Sequence, residues 1–173
     1  MTVVGAADHA ASPEARFNAM FSRHYPAVFG YAARRVGRDE AGDAAAEVFT
    51  VAWRRLDRVP SEPEVLPWLY GVARRVLANH ERAANRRLRL EAKAATAAMA
   101  ATPGPGAGGL DVEAALARLG RADREVLRLA AWEELAPMEI AAVVGCSPNA
   151  AAVRLHRARQ RLAEEMHRGG STP

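Results

Sequence analysis

The residues that decide the fold run from Leu135 to Met166 and read LAPMEIAAVVGCSPNAAAVRLHRARQRLAEEM. Apolar residues recur at helical spacing from about Pro137 to Val144, and again from Pro148 to Met166. Gly145 is typical of the residue that ends a helix, and Ser147 is typical of the residue that caps the next one. The stretch therefore predicts two helices joined by a tight turn, the helix-turn-helix arrangement of proteins that read DNA.

The charges in this stretch favour the same interpretation. Between Ile140 and Ala163 there is no aspartate or glutamate, and the second helix carries Arg154, Arg157, Arg159 and Arg161. Arginine contacts both phosphates and base edges, so an acid-free helix of this kind suits nucleic acid. Three alanines, residues 150–152, occupy the start of the helix that usually probes bases, which leaves a sparse reading surface.

The composition indicates an all-α protein with small cores. Half of the 173 residues are hydrophobic, but aromatic residues make up only 6%, and runs of alternating β-branched residues do not occur. The net charge of +4 is compatible with a nucleic-acid partner, although it is weak evidence alone. The single cysteine, Cys146, excludes an internal disulfide. Without a long apolar run or a signal peptide, the chain is expected to be cytoplasmic, with no membrane insertion.

The chain divides into two helical domains joined by a flexible linker rich in Ala, Gly and Pro, which cannot bury a core. The expected divisions are a tail at 1–12, a domain at 13–91, the linker at 92–110, a second domain at 111–167 and a tail at 168–173. Within the first domain, Pro26 should kink the first helix or begin another. In the second domain, Asp111 is expected to cap the first helix.

An acidic, amphipathic helix is predicted from Asp43 to Leu56, after a break at Gly37 to Asp43. Asp39, Glu40, Asp43 and Glu47 form an acidic patch, with no basic residue between Asp39 and Trp53. Such a patch would repel DNA, so this face should meet solvent or a protein partner.

A second basic segment lies between Val72 and Lys93, where the net charge is +5. Asn79, His80 and Asn85 lie among its arginines, so the segment could contact both phosphates and bases. A solvated helix face is the simpler alternative. The density of charge favours contact with nucleic acid.

No motif in the chain points to catalysis. The five histidines have no metal-ligand spacing, no glycine-rich phosphate loop follows a strand, and no serine lies in a nucleophile elbow. Asp43 and Glu47 share a helix face, but no pocket-lining pattern surrounds them. We therefore expect no enzyme activity, no cofactor and no metal.

Taken together, these features resemble the bacterial sigma factors of the sigma-70 family, specifically the small extracytoplasmic-function group. Three segments carry the resemblance: DAAAEVFTVAWRRL at Asp43–Leu56, PWLYGVARRVLANHERAANRR at Pro67–Arg87, and ELAPMEIAAVVGCSPNAAAVRLHRAR at Glu134–Arg159. They occur in the family's order, across a linker. The sequence departs from the family pattern at five places. Alanine stands at three of them, where the family commonly has Gln (Ala46), Ser (Ala136) or Thr (Ala150). At the other two, Arg75 and Asn79 replace a frequent Asn and Asp.

The resemblance implies a two-domain factor that binds core RNA polymerase, at the β′ clamp helices and the β flap, and promoter DNA. An anti-sigma factor is a candidate partner, since many relatives are held by one. Region 2 would bind polymerase and open the −10 element, and region 4 would read the −35 element. The implied contacts are Asp43, Glu47, Phe49 and Trp53 for polymerase, Asn79, His80, Arg82, Arg86 and Arg87 for the −10 element, and Ser147, Asn149, Arg154, His156, Arg157 and Arg161 for the −35 element.

Two other functions fit parts of the sequence. A stand-alone helix-turn-helix regulator would bind a palindromic operator as a dimer, but it leaves the acidic helix and the second basic segment without a role. The second is a protein-interaction adaptor, in which the last helix is only exposed to solvent. Such a protein would bind DNA neither alone nor with polymerase. Promoter-specific transcription with core polymerase separates both from a sigma factor.

Overall fold

The computed structural model describes residues 12–94 and 110–169, and within these ranges the protein is helical without strands. This confirms the predicted all-α fold. Seven α-helices occur in the described residues, with a short 3₁₀ turn at Leu56–Arg58: α1 Pro13–Val36, α2 Arg38–Arg54, α3 Val65–Ala94, α4 Leu110–Arg118, α5 Arg121–Ala131, α6 Pro137–Val144 and α7 Pro148–Gly169.

Helices α1 to α3 form an N-terminal unit. Ser12 caps α1 by accepting a hydrogen bond from the Ala15 amide at 3.2 Å. The helix continues past Pro26, so of the two expected outcomes a new helix beginning at this proline does not occur. The expected break from Gly37 to Asp43 is also too long, because α2 begins at Arg38. Two acids in its first turn stabilise that helix end through the helix dipole.

The core of the N-terminal unit lies where the three helices meet. Its fully buried members include Val28 and Tyr31 of α1, Ala45 and Val48 of α2, and Leu69 of α3. Alanines on α2 allow the neighbouring helices to approach closely, which suits a core with few large side chains. This packing leaves the outer face of α2 and the downstream half of α3 exposed.

Helices α4 to α7 form a C-terminal unit. Leu129, Ile140 and Ala158 are fully buried at its centre. Helix α4 begins at Leu110, so Asp111 lies inside its first turn and is not the predicted cap. At the other end of α4, the Arg124 guanidinium donates to the carbonyl groups of Leu116, Ala117 and Leu119.

The two units are docked against each other. Helix α6 packs on α3, where a Cβ atom added at Gly71 would lie 3.7 Å from the Val143 carbonyl oxygen. Arg34 of α1 also donates to Glu133, 2.8 Å away, in the turn after α5. Most of the predicted linker lies outside the described residues. The described ends on either side of it are Ala94 and Leu110.

Candidate polymerase and nucleic-acid interfaces

The outer face of α2 presents an acidic and aromatic surface. Asp43 and Glu47 are exposed one helical turn apart. Trp53 lies further along α2, at the edge of this face and about 80° around the helix from Asp43, with 44% of its area exposed. The Trp53 ring packs edge-on against Phe17 of α1, with ring centroids 5.1 Å apart, so its position is fixed. An anchored tryptophan beside carboxylates is a surface suited to a basic protein partner.

Phe49 does not belong to this surface. Its side chain is only 2% exposed and its ring lies 4.8 Å from that of Phe21, in an edge-on arrangement. A buried ring cannot contact polymerase directly, so the assignment of Phe49 as a contact residue needs correction. Its role is to support the α1–α2 packing beneath Trp53.

Helix α3 carries a continuous basic ridge. Because an α-helix turns about 100° per residue, the spacing of three and four residues places five exposed side chains within about 40° of one line. This basic ridge consists of Arg75, Asn79, Arg82, Arg86 and Arg89. Asn79 accepts a hydrogen bond from the Arg82 guanidinium, which orients both side chains along the ridge. No acid lies on this line, so its potential suits a phosphate backbone.

Two of the predicted −10 residues lie off the basic ridge. His80 and Arg87 project more than about 100° away from Arg75 around the helix. His80 Nε2 is 2.6 Å from Glu47 Oε2, so its imidazole contacts the acidic face of α2 instead. Asn79, Arg82 and Arg86 therefore share one face of α3, and His80 and Arg87 lie outside that face.

Arg75 and Arg89 are the members of the basic ridge that were missing from the predicted set. The sequence did indicate both residues by their spacing, because Arg75 lies four residues before Asn79 and Arg89 lies three residues after Arg86. Recognising it required knowing that α3 runs unbroken through this segment.

The helix-turn-helix forms as predicted. Gly145 adopts a left-handed conformation with φ +76°, and its amide donates to the Ala141 carbonyl oxygen at the end of α6. Ser147 accepts a hydrogen bond from the Ala150 amide at 3.2 Å and so caps α7. Ser147 is exposed, but its hydroxyl is engaged in this cap. Its confirmed role is therefore structural.

Helix α7 buries Ala151, Leu155 and Ala158 and exposes two rows of side chains, one opposite these residues and one on the flank between. One row contains Asn149, Val153 and His156, and the other contains Arg154 and Arg157. Among the described residues, no hydrogen bond or ion pair engages Arg154 or Arg157, so both guanidinium groups face solvent. These two rows form the reading face of α7.

Arg161 continues the arginine row but is engaged elsewhere. Its guanidinium forms a close ion pair with Asp123 of α5, whose side chain is largely buried. In this conformation the ion pair links α7 to α5, and a DNA phosphate or base would have to displace Asp123 in order to contact Arg161. Its prediction as a −35 contact is thus not supported by its position.

The described residues contain no group of His, Cys, Asp and Glu side chains that could hold a metal ion. None of the described helices is long and apolar enough to cross a membrane.

Comparison with known families identifies both units. A family model described as Sigma-70 region 2 matches residues 20–87, and one described as Sigma-70, region 4 matches residues 109–162. The two matches together span more than two thirds of the chain. Comparison with curated proteins gives no match.

Solved structures agree on the fold. The sigma factor RpoE of Bartonella quintana, solved with the anti-sigma factor NepR, is 23% identical with a TM-score of 0.66, covering 87% of this chain and 96% of that one. PhyRSL of Sphingomonas sp. Fr1, solved with NepR, is 14% identical with a TM-score of 0.64, covering 87% and 88%. CnrH, solved with the cytosolic domain of CnrY, is 25% identical with a TM-score of 0.58, covering 86% and 85%. The chain therefore belongs to the sigma-70 family, with region 2 in its N-terminal unit and region 4 in its C-terminal unit.

Proposed function

We propose that this sigma factor binds core RNA polymerase and directs it to promoters by recognising a −10 element with α3 and a −35 element with α7. The observation that carries the proposal is the presence of two separate basic surfaces, one on each sigma domain, beside an acidic face on α2. DNA would meet the basic ridge and the α7 reading face, while polymerase would meet Asp43, Glu47 and Trp53.

The protein's part in the reaction is binding and positioning. Opening the −10 element requires bases to leave the stack, which costs a few kcal/mol per step. Arginines of the basic ridge would offset this cost by holding the phosphates of the opened strand, and Asn79 offers an amide for a base edge. Polymerase would supply the chemistry, so we expect no catalysis by this chain itself.

The stand-alone dimeric regulator remains the alternative from another class. This alternative gives the acidic face of α2 no binding role, and it predicts that the protein binds a palindromic operator without polymerase. Transcription in vitro with purified core polymerase tests the proposal: promoter-specific initiation is expected, and mutation of either promoter element should abolish it. Tight polymerase-independent binding to a palindrome, without initiation, would favour the alternative. An anti-sigma partner is a further proposal, supported by the RpoE complex.

The basic ridge makes a testable distinction between neighbouring arginines. Arg86→Ala should weaken binding to a −10 fork-junction DNA several-fold. The slope of log affinity against log salt concentration should also become smaller in magnitude by about 1, because one phosphate contact is lost. Arg87→Ala removes the same charge from a different face of the helix and serves as the matched control. Equal losses in both variants, measured by fluorescence anisotropy at several salt concentrations, would mean that the ridge has no special role.

The reading face of α7 can be tested in the same way. Arg157→Ala should weaken recognition of the −35 element by about 1–3 kcal/mol if the guanidinium contacts a guanine in bidentate fashion. Arg159 lies on the opposite flank of α7 and is also exposed, so Arg159→Ala is the control. Competition between the promoter and a copy with a scrambled −35 element gives the measurement. If Arg157→Ala lowers affinity for both DNAs equally, the residue contacts only phosphate.

A further inference from the structure

Val153 is an apolar side chain at the centre of the reading face of α7, and it is 41% exposed. Because an α-helix turns about 100° per residue, Val153 projects about 170° away from the mean direction of the buried Ala151, Leu155 and Ala158. It therefore lies on the side of α7 that faces away from the core of the C-terminal unit. Packing within the chain does not explain a valine at this position.

Helix formation does not explain this valine either. Valine is β-branched and forms helices less readily than alanine, which occupies residues 150–152 just before it. Single exposed apolar side chains are common on protein surfaces, so the exposure of Val153 alone indicates no ligand. What distinguishes Val153 is the set of side chains around it.

Polar side chains of the reading face surround Val153. Asn149 lies one helical turn before it, and His156 and Arg157 lie about one turn after it. A surface that covers Val153 also covers these groups and must supply their hydrogen-bonding partners, because a buried polar group without a partner costs free energy. The ligand that fits this face is therefore polar, with an apolar group opposite Val153.

The floor of the major groove of DNA has this composition. Its base edges present hydrogen-bond donors and acceptors that Asn and Arg side chains can pair with, and its apolar group is the C5 methyl of thymine. Cytosine instead presents an amino donor, which a valine side chain cannot accept a hydrogen bond from. Among the four bases, thymine therefore complements Val153 best.

The residues on either side of Val153 allow α7 to approach the groove closely. Ala150 is exposed and Ala152 is half-buried. Neither side chain extends beyond a methyl group, so these neighbours do not hold the short side chain of Val153 away from the bases. The alanines that leave the reading surface sparse thus permit contact between two methyl groups, which requires a carbon–carbon distance of about 4 Å.

We propose that Val153 is a specificity-determining residue, which selects a thymine of the −35 element by contact with the C5 methyl group of that base. The inference rests on the proposed function, because it requires α7 to lie in the major groove of the −35 element. It goes further by naming the base and the atom that the valine recognises.

The first step of the test identifies the element. Holoenzyme reconstituted from core polymerase and the full chain is allowed to bind a promoter library in which only the −35 region is randomised. The rest of each DNA comes from a promoter on which the wild-type holoenzyme initiates in vitro. Sequencing of the bound DNA should show a thymine at a fixed position, on one strand or the other.

The second step removes the methyl group alone. Each thymine of the selected −35 element is replaced singly by deoxyuridine, which keeps every hydrogen-bonding group of the base. At one position the affinity of wild-type holoenzyme should fall about fourfold, the value expected for the loss of one buried methyl contact. The measurement is competition between the thymine and deoxyuridine promoters for a limiting amount of holoenzyme.

Variants of the protein assign this effect to Val153. Val153→Ala should bind the thymine and deoxyuridine promoters equally at that position, whereas Val153→Thr keeps one methyl group and should retain a preference for thymine. Val112→Ala is the matched control, because Val112 is 42% exposed on α4, outside the reading face. It should keep the full preference of wild type. Alanine favours a helix more than valine does, so Val153→Ala should fold normally.

Three results would overturn the proposal: selected −35 elements without a thymine at a fixed position, equal wild-type affinity for thymine and deoxyuridine at every position, or an undiminished preference for thymine in Val153→Ala. Failure of the proposed function is recognised differently. In that case the selection enriches no −35 sequence, and mutation of the −35 region leaves initiation by wild-type holoenzyme unchanged.

Discussion

Glu47→Arg is expected to abolish stable association with core RNA polymerase. Glu47 is exposed on the outer face of α2, between Asp43 and Trp53, where the proposed basic partner surface would meet it. Placing a like charge against that surface costs several kcal/mol, so affinity should fall by about two orders of magnitude. The measurement is the binding of labelled sigma factor to purified core polymerase, at low and physiological salt.

Two variants show whether the loss comes from this face. Glu64→Arg makes the same change at an exposed position outside α2 and should bind normally. His80→Ala removes the partner of Glu47 without adding charge, and it separates loss of the His80–Glu47 hydrogen bond from direct repulsion. Wild-type affinity in Glu47→Arg would contradict the assignment of α2 to polymerase.

Local chemistry explains why the helix-turn-helix could be predicted from the sequence. Gly145 and Ser147 act on residues within four positions of themselves, one by adopting positive φ and the other by capping an amide. Neither effect depends on the rest of the fold. The predicted bounds of α6 were therefore confirmed to the residue, and α7 was found to extend three residues beyond Met166.

Local sequence patterns could not show which side chains of a predicted surface are exposed and which are buried or already paired. Phe49 has the spacing of a contact residue, but only the packing of α1 against α2 shows that it is buried. Arg161 continues the arginine row of α7, yet Asp123, which engages it, lies 38 residues away in sequence. Such contacts depend on tertiary structure, and no local pattern in the sequence reports them.

The contact between Arg34 and Glu133 was missed altogether, for the same reason. Arg34 and Glu133 are 99 residues apart and belong to units that the sequence predicted to be independent. Each looks like an ordinary exposed charge in its own helix or turn. Only docking removes their water and makes each dependent on the other, so the relation between the domains could not be predicted from the sequence.

Ile140→Ala should unfold or nearly unfold the C-terminal unit. Ile140 is 0% exposed on α6, and removing its side chain from a packed site costs about 2–5 kcal/mol. A unit of about 60 residues has a free energy of unfolding of roughly 3–9 kcal/mol, so the loss is a large part of the total. Thermal unfolding followed by fluorescence, with Trp53 and Trp68 replaced by phenylalanine so that Trp132 alone reports, should show a lowered transition, because Trp132 lies in the same unit.

Met138→Ala is the matched control, since it truncates a large apolar side chain on the same helix at a position that is 72% exposed. Its transition should remain near that of wild type. In Ile140→Ala the face of α2 and the basic ridge belong to the intact N-terminal unit, so polymerase binding should persist while discrimination of the −35 element is lost. Loss of polymerase binding in parallel would mean that the two sigma domains fold as one cooperative unit, because the packing of α6 on α3 would then contribute to the stability of both.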